Sequence, residues 1–190
     1  SDHLRRWQAW LGRNDAVARL GDREARQQSV EALLELAQYL GPNYLAEAHY
    51  RKALLLDAAG DYPASMDEYQ IALINARESR ATSLEIRMLS MLLIGQNRLG
   101  DAAGAAATVQ QVQDRIRELE EIDSITVLTN LAVYYVESGD LARAAQLHQE
   151  QAAIAQRLGD RSFQANALVN LGYDYLCLGM YQEGRVALEQ

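Results

Sequence analysis

Glycine spacing is what most constrains this chain. Gly21, Gly60, Gly100, Gly139 and Gly179 follow one another at intervals of 39, 40, 39 and 40 residues. Each precedes a short turn and then a helical pattern. The first four are followed by Asp22, Asp61, Asp101 and Asp140. Glycine just past a helix end takes the left-handed conformation at no steric cost. The aspartate after it can cap the next helix and favours that helix's positive end. Each Gly-Asp therefore predicts the tight turn of an antiparallel helical hairpin. Around the last two glycines the sequence itself recurs, as TNLAVYYVESGDLARAA over 129–145 and VNLGYDYLCLGMYQEGR over 169–185.

Small residues flank these turns at fixed distances. Five residues after each glycine stand Arg26, Ser65, Ala105, Ala144 and Gly184; seven before stand Asn14, Ala53, Leu93, Ala132 and Gly172. Helices approach to about 8–10 Å only where the crossing side chains are short, so these positions predict the crossing points. A second break falls about twenty residues after each turn, at Gly41-Pro42, Ser79-Arg80, Glu121 to Ser124 and Gly159-Asp160. Between breaks, bulky apolar residues keep helical spacing, as in Ile125, Leu128, Leu131 and Tyr135. No Val/Thr-rich alternating run is bounded by hairpin turns, so no strand is predicted. The fold class expected is all-α, an array of antiparallel helix pairs.

Leu128, Leu131, Ala132, Tyr135, Gly139 and Ala144 resemble the tetratricopeptide repeat (TPR) position by position, as do Leu168, Leu171, Gly172, Tyr175, Gly179 and Tyr181. Gly60, Tyr62, Tyr69 and Ala72 match its second half in an earlier repeat. The common repeat of that family is about 34 residues; the longer step here resembles LGN/Pins adaptors and bacterial regulators of the LuxR/MalT kind. The Gly100 repeat departs from the pattern, with Leu93 at the small position and Gln96 where Tyr is expected. The resemblance implies a right-handed superhelical α-solenoid. It divides the chain into a degenerate repeat over 1–41, repeats over 42–81, 82–122 and 123–160, and a truncated one over 161–190. In the first, Gly12-Arg13-Asn14-Asp15 is expected to interrupt the opening helix. The absence of a starting Met and the end within a helical pattern suggest a fragment of a larger protein.

Composition narrows the function classes. The net charge is −8, from 26 acidic and 18 basic residues. Residues 96–190 hold 13 of the acids and 7 of the bases. Such a surface repels phosphate backbones, so no nucleic-acid partner is expected. No apolar run reaches the ~18 residues of a membrane span, so no membrane partner is expected either. A single cysteine, Cys177, excludes an internal disulfide framework and suits a reducing, cytoplasmic setting.

No catalytic set passes a spacing test. His3, His49 and His148 lie far apart without a ligating neighbour at i+4, and Gly100 to Gly104 lacks the Lys-Ser/Thr of a phosphate loop. Glu120 and Glu121 read as a solvated helix end. Cys177 reads as a small buried hydrophobe, and the Ala-rich run over 101–107 as close helix contact. No cofactor, no metal and no enzymatic activity are expected.

Stacked helical hairpins curl, and the first helix of each pair then lines the concave side. Counting back 13, 10, 9, 6 and 3 residues from each turn glycine gives that face. It comprises Glu47, Tyr50, Arg51, Leu54 and Asp57; then Arg87, Ser90, Met91, Ile94 and Asn97. Next come Thr126, Thr129, Asn130, Val133 and Val136, and last Asn166, Val169, Asn170, Tyr173 and Leu176. Among these, Asn130 and Asn170 recur at one place; an amide there can pair with an extended peptide backbone, or with its own scaffold. Arg51 and Arg87 can receive a ligand carboxylate, or form ordinary ion pairs. Tyr173 gives rigid contact area of the kind favoured at interfaces.

The expected function is a protein- or peptide-binding scaffold in a regulatory protein, serving signalling or transcription regulation. The expected partner face holds Asn130, Asn170, Tyr173, Arg87, Arg51, Val133, Thr126, Asn166, Ile94 and Tyr50. One alternative is a sensor of small-molecule inducers, with a closed apolar pocket around Tyr173, Val133 and Ile94. Another is a self-associating array, with a homodimer through the C-terminal end, where Val186, Ala187 and Leu188 lie uncovered.

Overall fold

The computed structural model describes residues 2–190, and all its regular structure is helical. The helices are α1 (Asp2–Leu20), α2 (Arg23–Leu40), α3 (Pro42–Ala59), α4 (Tyr62–Glu78), α5 (Thr82–Arg98), α6 (Ala102–Arg115), α7 (Glu121–Glu137), α8 (Leu141–Leu158), α9 (Arg161–Cys177) and α10 (Tyr181–Glu189). One 3-10 turn, Ile116–Glu118, lies between α6 and α7. No strand occurs among the described residues.

The turns form as their residues require. Gly21, Gly60, Gly100, Gly139 and Gly179 all have φ between +71° and +84°. Asp22, Asp61, Asp101 and Asp140 each accept from the backbone N–H three residues on, at 2.9–3.3 Å. That bond satisfies one of the helix's orphan donors. Met180 breaks the pattern, and α10 starts without a side-chain cap. At the second set of breaks, Gly41 and Gly159 have positive φ, and Arg80 takes φ +55° in the equivalent place. Before α7 no such residue stands; the chain passes through the 3-10 turn and an extended Leu119 instead.

The chain divides into two compact units, one up to Met88 and one from Leu89, with the boundary inside α5. In the first unit α1 packs on α2, α2 on α3 and α3 on α4. Its core gathers Trp7, Leu33, Leu36, Ala37 and Ala48, with Tyr44 and Leu45 of α3 against them. The expected interruption of α1 does not occur. Gly12 has nothing near it to disturb. Asn14, buried at the predicted crossing, donates to the Arg26 carbonyl at 3.5 Å. A polar contact thus does there what small residues do elsewhere.

In the second unit α7 packs on α8, α8 on α9 and α9 on α10. Ile125, Leu128 and Ile154 form one core cluster; Ala145, Ala152, Ala167, Leu168, Leu171 and Ala187 form another. Ala132 and Ala144 are fully buried. A Cβ on Gly184 would lie 3.1 Å from the Gly172 carbonyl, so the α9–α10 crossing falls where the spacing placed it. Two other expectations change. Of the alanines over 101–107 only Ala105 is buried, the rest facing solvent on α6. Cys177 is exposed rather than buried, because α9 turns that side away from α8 and α10.

Candidate functional site

Three of the expected face residues meet in the first unit. Arg51 donates to Glu47 at 2.7 Å and pairs with Asp15 of α1. Arg87 reaches the other oxygen of Glu47 at 3.1 Å and stacks over the Tyr50 ring at 4.9 Å. Burial pushes the Tyr50 hydroxyl above its usual pKa. Burial alone would lower Arg51, but Glu47 and Asp15 outweigh it and raise its pKa. One repeat position further along α3, Asp57 accepts the Tyr69 hydroxyl at 2.6 Å. Burial first, and then that carboxylate, holds the Tyr69 phenol well above its ordinary range. Both guanidiniums are thus engaged with Glu47, a shared acid that ties α3 to α5.

In the second unit the expected residues divide by exposure. Asn130 is 8% exposed and donates to the Ser90 hydroxyl at 2.9 Å, with Met91 sulfur beside it. Thr126, Val133 and Ile94 are half-buried. Gln151 of α8 donates to the Thr129 hydroxyl at 2.7 Å. On α9 the same positions lie open. Asn166 and Asn170 are exposed, and Val169, Tyr173 and Leu176 are 57%, 60% and 41% exposed. At i, i+3, i+4, i+7 and i+10 these five share one face of the helix. None carries a charge. Cys177, four residues after Tyr173, extends this face, and a hydrogen bond between the two raises the Tyr173 pKa. The i, i+4 spacing was the signal in the sequence that joined them.

Histidine serves packing here. His148 Nδ1 lies 2.6 Å from Asp174 Oδ2 between α8 and α9, both buried. His49 holds Glu68 across α3 and α4 at the same distance, and Lys52 takes the other oxygen. Among the described residues no group of three or more His, Cys, Asp or Glu could hold a metal ion. No helix of the described residues is long and apolar enough to cross a membrane.

With paired helices, glycine turns and an open face on α9 established, family comparison gives a definite result for the second unit. Residues 123–190 match the tetratricopeptide repeat. That segment runs from the first turn of α7 through α10, the four helices whose sequence recurs. Repeats of this family mediate protein–protein interaction. No curated protein matches the chain by sequence. Solved structures are similar in fold over nearly all of it. BtubC (BKLC) from P. vanneervenii is 19% identical at a TM-score of 0.67, over 100% of this chain and 89% of that one. The nearly identical TPR-like repeats of a Podosopora anserina kinesin light chain candidate are 16% identical at a TM-score of 0.63, over 96% and 93%. A point variant of those repeats is 17% identical, at 0.66, over 97% and 93%. At such identities the likeness speaks for the fold, a TPR-like arrangement of helix pairs.

Proposed function

We propose that this chain is a protein- or peptide-binding scaffold, its ligand held on the first helices of the repeats and chiefly along α9. The observation that carries this is the open face of Asn166, Val169, Asn170, Tyr173 and Leu176. Solvent-facing helix surfaces ordinarily carry charges. Interface cores are depleted of charge and enriched in Tyr. Asn166 and Asn170 offer both donors and acceptors to an extended backbone, while Val169 and Tyr173 supply apolar area. Thr126, Asn130 and Val133 stand at the corresponding places on α7, and Ile94 on α5. Of these, Asn130 already spends its amide on Ser90, so its part is to hold α7 to α5. Tyr50, Arg51 and Arg87 are engaged through Glu47 in the same scaffold role; a ligand carboxylate would have to displace that acid.

In this reading the chain has no chemistry of its own. It serves as one repeat array, with boundaries near 41, 81, 122 and 160, within a larger cytoplasmic regulator of signalling or transcription. Inducer sensing needs an enclosed pocket at Tyr173, and that ring stands 60% exposed. The test is selection of peptides from a random display library on the purified chain, followed by calorimetry with a selected peptide. Asn170→Ala and Tyr173→Ala should each weaken it about tenfold or more, while Ile74→Ala on α4 leaves it unchanged. Selected peptides indifferent to both α9 substitutions would remove this reading.

A further inference from the structure

One repeat breaks the rule of small residues at the helix crossing. Five residues past the turn glycine, Ser65, Ala105, Ala144 and Gly184 are small and buried. In the first repeat that place holds Arg26, half-buried on α2. Asn14, its partner at the crossing, bonds the Arg26 carbonyl and not the guanidinium. The Arg26 Nε is buried without a hydrogen-bond acceptor among the described residues. Burial first, and then the neighbouring Arg51 guanidinium, hold its pKa below the usual value. Acids of the same unit are engaged elsewhere: Asp15 and Glu47 by Arg51, Asp57 by the Tyr69 hydroxyl, Glu68 by His49 and Lys52. A cation held away from water without a counter-charge is costly, and an orphaned buried donor calls for a partner.

Arg26 lines a cavity of about 310 Å3 formed by the first turn together with α2 and with Leu55 and Ala58 of α3. Asp22 and Arg23 share its wall. Asp22 already caps α2 through one carboxylate oxygen. Two cations against one acid leave the wall a single positive charge, which matches a monoanion better than a phosphate dianion. An arginine fork takes a carboxylate through two parallel N–H bonds. A second cavity, of about 230 Å3, adjoins the first, with Arg23 and Leu55 common to both. Val30, Leu34 and Leu56 line it. Its polar residues are paired, Gln27 donating to Glu31 at 3.1 Å and Lys52 to Glu68 at 2.6 Å. What remains there is apolar wall. The scale is that of small-molecule sites, ~300–1,000 Å3.

We infer that the two cavities form one site for an aliphatic monocarboxylate, its carboxylate on Arg26 and its tail over Leu55 against Val30, Leu34 and Leu56. The site shares no residue with the α9 face, so it goes beyond the proposed peptide binding and is tested apart from it. The experiment is calorimetry of the purified chain with straight-chain acids from butyrate to decanoate. Affinity should rise by about fourfold for each added CH2 and level off once the tail fills the second cavity. Octanol, without the charge, and octyl phosphate, with more of it, should each bind about tenfold or more weaker than octanoate. Arg26→Gln keeps much of the stem and drops the charge; it should weaken octanoate by about tenfold or more with unchanged far-ultraviolet dichroism. Ala59→Phe, at an exposed position lining the second cavity, should weaken octanoate and leave butyrate unchanged. Arg143→Gln, in the second unit, should change neither. No saturable heat with any acid, affinity indifferent to chain length, octanol or octyl phosphate equal to octanoate, or octanoate binding that persists in Arg26→Gln would each overturn the inference. Should Arg26→Gln fail to fold, Ala59→Phe and the chain-length series decide it.

Discussion

Glu68 shows how single contacts set the limits of this fold. Burial by itself would raise its pKa, but the bonds from His49 and Lys52 outweigh it and bring it below the ordinary value. A depressed carboxylate contributes stability above its unfolded pKa and loses it as pH falls through the folded one. The α3–α4 hairpin should therefore weaken as pH drops below about 4.3. Melting temperature followed against pH checks this: Glu68→Gln should be flatter in that acidic range than the parent, and parallel slopes would refute it. Gly172 and Gly184 give a second case. A Cβ on Gly184 meets backbone at 3.1 Å, whereas one on Gly172 meets the half-exposed Leu188 side chain first, at 2.7 Å, and backbone only at 3.3 Å. Leu188 can swing away and backbone cannot. Gly184→Val should cost ~1–3 kcal/mol by chemical denaturation, and Gly172→Ala clearly less. Those glycines were legible as a crossing point from spacing alone. The fate of Asn130 was not, because its partner Ser90 lies 40 residues away, and nothing local distinguishes an amide facing a ligand from one facing a neighbouring helix.

Among the elements, the helix boundaries follow from local chemistry and were largely readable. Gly-Asp marks four hairpins because the left-handed turn and the cap are both decided within a few residues. The opening helix was misread for the complementary reason. Gly12 and Asn14 disfavour a helix locally by up to ~1 kcal/mol each, and tertiary contacts of Asn14 and Arg51 with neighbouring elements overrule that preference. Cys177 is exposed where burial was expected, because helical periodicity alone does not say which stripe of α9 faces solvent. Met180 offers the sharpest test at this scale. It stands where Asp caps the other second helices, and α10 lacks that bond. Met180→Asp should raise stability by ~0.5–1 kcal/mol, read as a higher melting temperature. Asp140→Ala should lower it by a similar amount. No gain in the first variant would mean that the start of α10 is held by packing rather than by its cap.

For the molecule as a whole, the account rests on where a ligand would lie. The second half has an acidic balance, −6 over residues 96–190 from 13 acids and 7 bases, while the face on α9 carries no charge. That contrast favours partners recognised by shape, apolar area and backbone amides over partners recognised by charge. The measurement that tests this most directly is amide chemical-shift mapping of the chain on titration with a library-selected peptide. The account predicts that the largest shifts cluster at Asn166, Val169, Asn170, Tyr173 and Leu176, with weaker ones at Thr126 and Val133. Shifts concentrated instead along α8 and α10, or confined to residues before Met88, would contradict it.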